Sequence, residues 1–152
     1  MAGGQMIQLD SATLIKGIGI EGDRYAQKIG FWQKNGKNRE SIREVTIIKQ
    51  QDVEKTHFQA NETRRNLLIH FFDENLNLVD EIGKFLIIGD AVLKIIEDCT
   101  PCSRPSQIVN KPNFALEFKG TGGVRCQVIR GGIIQNQMDV FLALSSVQQN
   151  EN

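Results

Sequence analysis

Two cysteines separated by two residues are the most chemically suggestive feature of the sequence. Cys99 and Cys102 flank a Thr-Pro pair directly after an apolar segment. Such spacing is typical of a redox pair or of half a zinc site. Zinc would need two further ligands, and neither His57 nor His70 has the paired spacing that zinc modules use. Taken alone, the cysteines are equally well interpreted as small, inert core residues.

Two adjacent arginines and an amide form a second group with chemical potential. Arg64, Arg65 and Asn66 open an apolar segment, so their side chains lie where the chain enters the core. Guanidinium groups bind phosphate or carboxylate through paired hydrogen bonds. The alternative is that one arginine is a solvated charge at a strand end while the other pairs with an acid such as Glu62 or Asp73. An isolated arginine pair favours this second interpretation.

Two glycine-rich stretches end in charged residues and can admit a ligand close to the backbone. Residues 17–24 read GIGIEGDR and include Gly22, Asp23 and Arg24, while residues 120–125 read GTGGVR and end at Arg125. The first is not a phosphate loop, because the closing Lys and Ser/Thr are missing. Glycine corners between strands are the structural alternative. The sequence contains no Gly-x-Ser-x-Gly elbow and no convincing Ser-His-Asp set, so a hydrolase has no visible base.

Short segments rich in β-branched residues must position these groups. Strands are predicted over residues 45–49, 66–71, 85–88, 91–97, 124–130 and 138–144, with a hairpin turn at Gly89-Asp90. Short helices are predicted over 50–58 and 113–119. Residues 31–41 are expected to form a loop, and 145–152 a polar, frayed tail. The pattern predicts a mainly β protein with short helices, arranged as a closed or nearly closed barrel.

Length and composition set the class of protein. A chain of 152 residues with 40% hydrophobic and 24% charged residues fits a single domain over 1–152, with its core at about 6–144. Because 18 basic residues balance 18 acidic ones, nucleic acids and anionic membranes are not expected partners. No signal peptide or membrane span is visible, and three cysteines do not suit a secreted disulfide framework. A cytoplasmic protein is expected.

In order and spacing, these pieces resemble the MOSC family, named after the C-terminal domain of molybdenum cofactor sulfurase. The matching stretches are GIEGDRYA at 19–26, REVTII at 43–48, RRNL at 64–67, IGDAVL at 88–93, Pro101-Cys102 and GGVR at 122–125. The resemblance extends from about residue 6 to residue 140. The stretch at 19–26 and the cysteine region are its most specific parts.

The resemblance implies a MOSC-type β-barrel and one cysteine that either carries sulfane sulfur or ligates molybdenum in a bound pterin cofactor. Cys102 occupies the position similar to that cysteine, and Arg65 and Asn66 occupy positions that contact the molybdenum cofactor (molybdopterin). Because the pterin carries a phosphate, further binding residues are expected in the neighbouring charged and glycine-rich stretches. These are Arg64, Gly22, Asp23, Arg24 and Arg125. Pyridoxal phosphate binding is a further association of the family.

Three functions follow from the resemblance. The first is a molybdenum-dependent oxidoreductase that reduces small N-hydroxylated compounds. Its electrons would come from an external donor, because the chain has neither an iron–sulfur cysteine set nor a nucleotide fingerprint. The second is a sulfur carrier that receives a persulfide on Cys102 from a sulfur donor protein. The third is a binding module that keeps the fold without catalysis.

Two departures from the family pattern bear on assembly. In many relatives another strand precedes the region of Met6, and residues 136–140 (NQMDV) replace the usual Gly-Asp turn. A barrel open on one edge predicts a homodimer centred on residues 6–18 or 138–144. In the second segment Phe141 and Leu142 would face opposite sides, one towards the core and one towards the partner. The alternative is an edge covered by the chain's own polar tail.

Overall fold

Nine strands form the framework of the described part of the chain, which in this computed structural model comprises residues 6–23 and 44–144. Most are short, as the frequent turn residues predict. The strands are β1 (Ser11–Ile15), β2 (Gly19–Ile20), β3 (Val45–Lys49), β4 (Leu67–Ile69), β5 (Phe85–Ile88), β6 (Ala91–Asp98), β7 (Val124–Arg130), β8 (Gly132–Gln135) and β9 (Val140–Ala143).

The helices of the described residues are short. They are α1 (Gln50–Glu54), α2 (Arg104–Val109) and α3 (Phe114–Glu117), with 3-10 helices at Ala60–Thr63 and Leu78–Glu81. Across residues 6–23 and 44–144, no helix has the length and apolar character needed to cross a bilayer. Each of these helices lies in a connection between two strands.

The strands are arranged in two sheets. A curled six-stranded sheet has the order β4-β3-β7-β6-β5-β9 and forms half of a barrel. A three-stranded sheet has the order β2-β1-β8. Only the β3–β4 pair is parallel among the described strands, and its crossover contains α1. This architecture confirms the predicted mainly β, barrel-like fold.

The hydrophobic core lies between the two sheets. Leu14 and Ile134 of the small sheet pack against inward residues of the large one, such as Val45 and Leu93. A second cluster lies on the opposite face of β3, where Ile48 contacts the α3 region. Because strand side chains alternate in direction, β3 has apolar residues on both faces and is buried throughout. Burial of each large side chain contributes roughly 1.5–3 kcal/mol.

Several predicted elements are confirmed and others are corrected. The strands predicted at 45–49, 85–88 and 124–130 have the predicted bounds, and the Gly89-Asp90 hairpin joins β5 to β6. The predicted strands at 66–71 and 138–144 are shorter, as are both predicted helices. Helix α1 ends at Glu54, because the chain turns at Lys55 so that Phe58 reaches the second core cluster. The predicted loop at 31–41 and tail at 145–152 lie outside the described residues.

The prediction for the last strand is wrong in one respect. Phe141 and Leu142 are both exposed, at 59% and 36%, so neither fills the core. The core ends at Val140, which packs against it, because β9 is the last strand of its sheet and pairs only with β5 within the described part of the chain. The homodimer itself stays a prediction.

Candidate functional site

A sharp corner precedes the two arginines. The 3-10 helix at Ala60–Thr63 begins with a capping box, in which the Gln59 and Glu62 side chains each bond the other residue's backbone. It ends at Thr63 and is followed by Arg64, whose φ of 63° is left-handed. This reversal directs the chain into β4. Arg64 is half-buried beside the corner.

The Arg65 guanidinium binds three backbone carbonyl groups. Its Nε donates to the Gly122 oxygen at 2.8 Å, and one terminal nitrogen donates to the Thr63 oxygen at 3.1 Å. The other terminal nitrogen donates to the Cys99 oxygen at 3.4 Å. Its Cζ lies 5.8 Å from the centroid of the Phe114 ring. None of these three partners is an acidic side chain.

The two cysteines of the CTPC stretch have opposite environments. Cys99 follows β6, is 5% exposed, and its N–H donates to the Gly123 oxygen at 2.9 Å. Cys102 is exposed in the turn between β6 and α2. Both are free thiols. Within residues 6–23 and 44–144, no three His, Cys, Asp or Glu side chains cluster as metal ligands, so the half-zinc interpretation gains no support.

The third cysteine is buried on β7. Cys126 is fully inaccessible, and burial raises its pKa, with a smaller contribution from nearby Cys99. A buried thiol with a raised pKa stays protonated and is a poor nucleophile. Cys102 is therefore the one cysteine that solvent or a ligand can reach.

Gly122 allows the cysteine turn to approach closely, and Gly123 allows the close approach of β3. A Cβ on Gly122 would lie 2.6 Å from the Cys99 oxygen and 2.9 Å from Cδ of Pro101. A Cβ on Gly123 would lie 2.1 Å from the Ile47 oxygen, and its φ of 92° also disfavours other residues. The glycine-rich stretch at 120–125 therefore serves close backbone packing. A binding role for it is a separate prediction.

Asn66 connects three segments of the chain. Its Oδ1 accepts hydrogen bonds from the Thr46 backbone N–H at 2.9 Å and the Thr46 hydroxyl at 3.1 Å. Its Nδ2 donates to Oδ1 of Asp23 at 3.5 Å. The structure therefore brings two predicted site residues together: Asn66, just before β4, and Asp23, shortly after β2.

Arg125 lies close to this amide on the same face of the sheet. It is opposite Thr46 in the β3–β7 register and opposite Glu97 in the β6–β7 register. Directly paired strand residues face the same side. One of its terminal nitrogens lies 3.1 Å from Oε1 of Glu97, and its side chain is 14% exposed. Its Nε is buried and has no hydrogen-bond partner among the described residues.

These side chains define a polar strip across the sheet. The strip consists of Asp23, Thr46, Asn66, Glu97 and Arg125. Thr46 and Glu97 were not predicted as site residues. Their signal in the sequence is a polar residue within an otherwise apolar strand.

The remaining predicted site residues have different positions. Gly22 is exposed, with a φ of 82° and open space where a Cβ would stand. It turns the chain directly after β2. Arg24 lies outside the described residues. Cys102 and the polar strip share one end of β6 and β7, because Cys99 binds Gly123 two residues before Arg125.

A protein-family model identifies the class of this fold and site. The model described as the MOSC domain matches residues 37–140, which is more than half of the chain. The chain belongs to the MOSC domain family, which is associated with molybdenum-cofactor-related proteins. None of the curated proteins matches the chain significantly.

Solved structures share the fold. The YuaD protein from Bacillus subtilis is 18% identical over 90% of this chain and 86% of its own, with a TM-score of 0.71. YiiM from Escherichia coli is 18% identical over 90% of this chain and 64% of its own, with a TM-score of 0.62. YiiM from Geobacillus stearothermophilus is 17% identical over 67% of this chain and 55% of its own, with a TM-score of 0.56. The chain thus spans less than two thirds of either YiiM chain.

Proposed function

We propose that this chain binds a molybdenum cofactor through Cys102 and acts as an oxidoreductase on small N-hydroxylated compounds, with electrons from an external donor. One observation carries the proposal. Of the three cysteines, Cys102 alone is exposed, and it lies at the end of the sheet that also bears the polar strip. A soft thiolate is a suitable ligand for such a metal.

The residues of the polar strip suit a pterin that carries a phosphate. Arg125 has a buried Nε without a hydrogen-bond partner among the described residues, and a phosphate oxygen would supply one. Asp23 and Glu97 provide carboxylate oxygens, which accept hydrogen bonds from the N–H groups of a pterin ring. Arg125 would therefore bind the phosphate, while the carboxylates would orient the ring.

The cofactor, when bound, supplies the two-electron chemistry that removes oxygen from the substrate. The protein's own contribution is to hold and shield it. Cys102 provides the thiolate, and the strip provides one cation between two carboxylates. Because Cys102 lies in an exposed turn, a small substrate can reach the same place from solvent.

Molybdenum analysis tests the proposal. The protein is produced in cells that make molybdopterin, and molybdenum per chain is measured by inductively coupled plasma mass spectrometry. We expect stoichiometric metal in the wild type and none in Cys102→Ser. Ser103→Ala, in the same exposed turn, is the matched control and should keep the metal. Wild-type molybdenum content in Cys102→Ser would overturn the assignment of the ligand.

The same chain offers a further test of the phosphate site. Arg125→Ala should weaken binding of metal-free molybdopterin by roughly 1–3 kcal/mol, the usual effect of losing a charge-assisted hydrogen bond. Isothermal titration of the apoprotein measures it. Unchanged affinity would mean that Arg125 serves only its pair with Glu97.

A second candidate function is a sulfur carrier with a persulfide on Cys102. The observation that favours it is the exposure of this thiol in a turn, where its thiolate can attack the outer sulfur of a persulfide on a donor protein and release the donor's thiolate. Alkylation of freshly purified protein, followed by peptide mass spectrometry, would show one additional sulfur atom on Cys102. A chain with neither molybdenum nor persulfide would be a binding module of the same fold.

A further inference from the structure

The hydrogen bonds of Arg65 join three separate segments. Thr63 ends the 3-10 helix before β4, Cys99 follows β6, and Gly122 lies two residues before β7. One guanidinium has five N–H donors in a rigid plane. Here each of its three nitrogens donates to a different segment. The side chain therefore acts as a cross-link between backbone segments that are far apart in sequence.

The cysteine turn is held from two sides. Arg65 binds the Cys99 oxygen on one side, and on the other the turn packs against Gly122, where a Cβ would lie 2.6 Å from that same oxygen. Gly122 is itself bonded to Arg65 at 2.8 Å. The backbone that leads to Cys102 three residues later is therefore fixed by Arg65 and Gly122 together.

The three carbonyl bonds use the Nε–H and one N–H of each terminal nitrogen, so three of the five N–H donors of Arg65 are engaged with backbone. A phosphate that bound Arg65 through its Nε would have to replace the bond to the Gly122 oxygen. Arg125, in contrast, has a buried Nε with no hydrogen-bond partner among the described residues. The two arginines thus have different tasks.

We propose that Arg65 is a positioning residue for Cys102, which sets the place of the thiol by bonding the backbone of its turn and does not bind the cofactor itself. The proposal rests on the assignment of Cys102 as the reactive thiol of the proposed function. In this proposal the polar strip binds the phosphate, and Arg65 sets the position of the Cys102 thiol.

The first test uses the apoprotein, so it does not depend on cofactor binding. The rate constant for alkylation of Cys102 by iodoacetamide is measured at fixed pH in the wild type, Arg65→Ala and Arg65→Lys. We expect both variants to change the rate by about fivefold, the effect of losing a hydrogen bond that holds the turn. Exchange of the Cys99 amide hydrogen should accelerate in parallel.

Arg130→Ala is the matched control. Arg130 also donates to a backbone carbonyl, that of Asp90 at 2.8 Å, but from the opposite end of β7. Its removal should leave Cys102 alkylation unchanged. An Arg65 variant whose alkylation and amide exchange equal those of the wild type would overturn the proposal.

The second test separates positioning from cofactor binding and from general destabilisation. We expect Arg65→Lys to bind metal-free molybdopterin within about twofold of the wild type, because the phosphate contact is elsewhere, while molybdenum retention through Cys102 falls. A titration showing much weaker pterin binding with wild-type alkylation would make Arg65 a cofactor ligand and refute the proposal.

As a control for folding, the unfolding midpoint of each variant is measured. If Arg65→Ala does not fold, Arg65→Lys decides the matter, since lysine keeps the charge but cannot reach three carbonyls at once. If the wild type holds no molybdenum, the proposed function fails. The alkylation and amide-exchange results still test the positioning role of Arg65, because they are measured on the apoprotein.

Discussion

Substituting Gly123 tests whether the glycine-rich stretch is required for packing. Gly123→Ala places a side chain at a φ of 92°, which costs about 1–2 kcal/mol for an L-residue. The new Cβ would lie 2.1 Å from the Ile47 oxygen, a backbone atom that cannot rotate away, and such overpacking costs a further 1–3 kcal/mol, approximately. We therefore expect a loss of roughly 2–5 kcal/mol, a large part of a typical stability of about 5–15 kcal/mol.

Two neighbouring glycines separate the conformational and steric contributions. Gly120 has a φ of 80° and open space around it, so Gly120→Ala should lose only the conformational part, about 1–2 kcal/mol. Gly122 is not left-handed but is sterically confined, so Gly122→Ala should lose the steric part, about 1–3 kcal/mol. Urea unfolding followed by circular dichroism measures all three. Equal losses for Gly123→Ala and Gly120→Ala would refute the steric argument.

Three further predictions concern individual side chains. Alkylation of the native protein up to pH 9 should label Cys102 alone, because the other two cysteines are buried, and alkylation after unfolding in urea should label all three. Peptide mapping identifies the labelled residues, and labelling of Cys99 or Cys126 in the native protein would contradict the prediction. Lys111 lowers the pKa of Glu62 from its ordinary 4.5, so the ionised carboxylate stabilises the fold above that value and this contribution is lost as pH falls through the lower, folded pKa. The difference in urea midpoint between wild type and Glu62→Gln should therefore be present at pH 7 and shrink in acid; a constant difference would contradict the linkage. Buried Lys49 donates to two carbonyl groups of the turn before the second 3-10 helix, so Lys49→Met should destabilise by about 1–3 kcal/mol in the same assay, and an unchanged midpoint would show that apolar packing replaces these bonds.

The sequence predicts the parts of the fold that local patterns determine. The β5–β6 hairpin follows from two apolar runs joined by Gly89-Asp90, and β7 follows from apolar residues at alternate positions, Val124, Cys126 and Val128. Strands β1 and β8 were not predicted, because each is stabilised chiefly by pairing with the other across most of the chain. Helix α2 was missed although Pro105 in its first turn is typical of a helix start.

The sequence predicts which residues belong to the candidate site, but not which groups they bond to. Family-like spacing identifies Cys102, Asn66 and Arg125 as candidate site residues, and the structure shows one of them exposed and the other two on the polar strip. The protein partners of Arg65 are backbone carbonyls. Since every residue has a carbonyl, no sequence signal distinguishes those that accept its bonds.

The pairing of β1 with β8 has a consequence for biosynthesis. Ser11 is aligned with Gln135 at the far end of the described chain, so the small sheet can close only after nearly all of it has been translated. At about 5–20 residues per second, the nascent β1 segment waits on the order of 6–25 s for its partner. During that interval Leu14, which later fills the core, is exposed to water and to other chains. The order of synthesis thus leaves β1 without its partner β8 while the residues between them are translated.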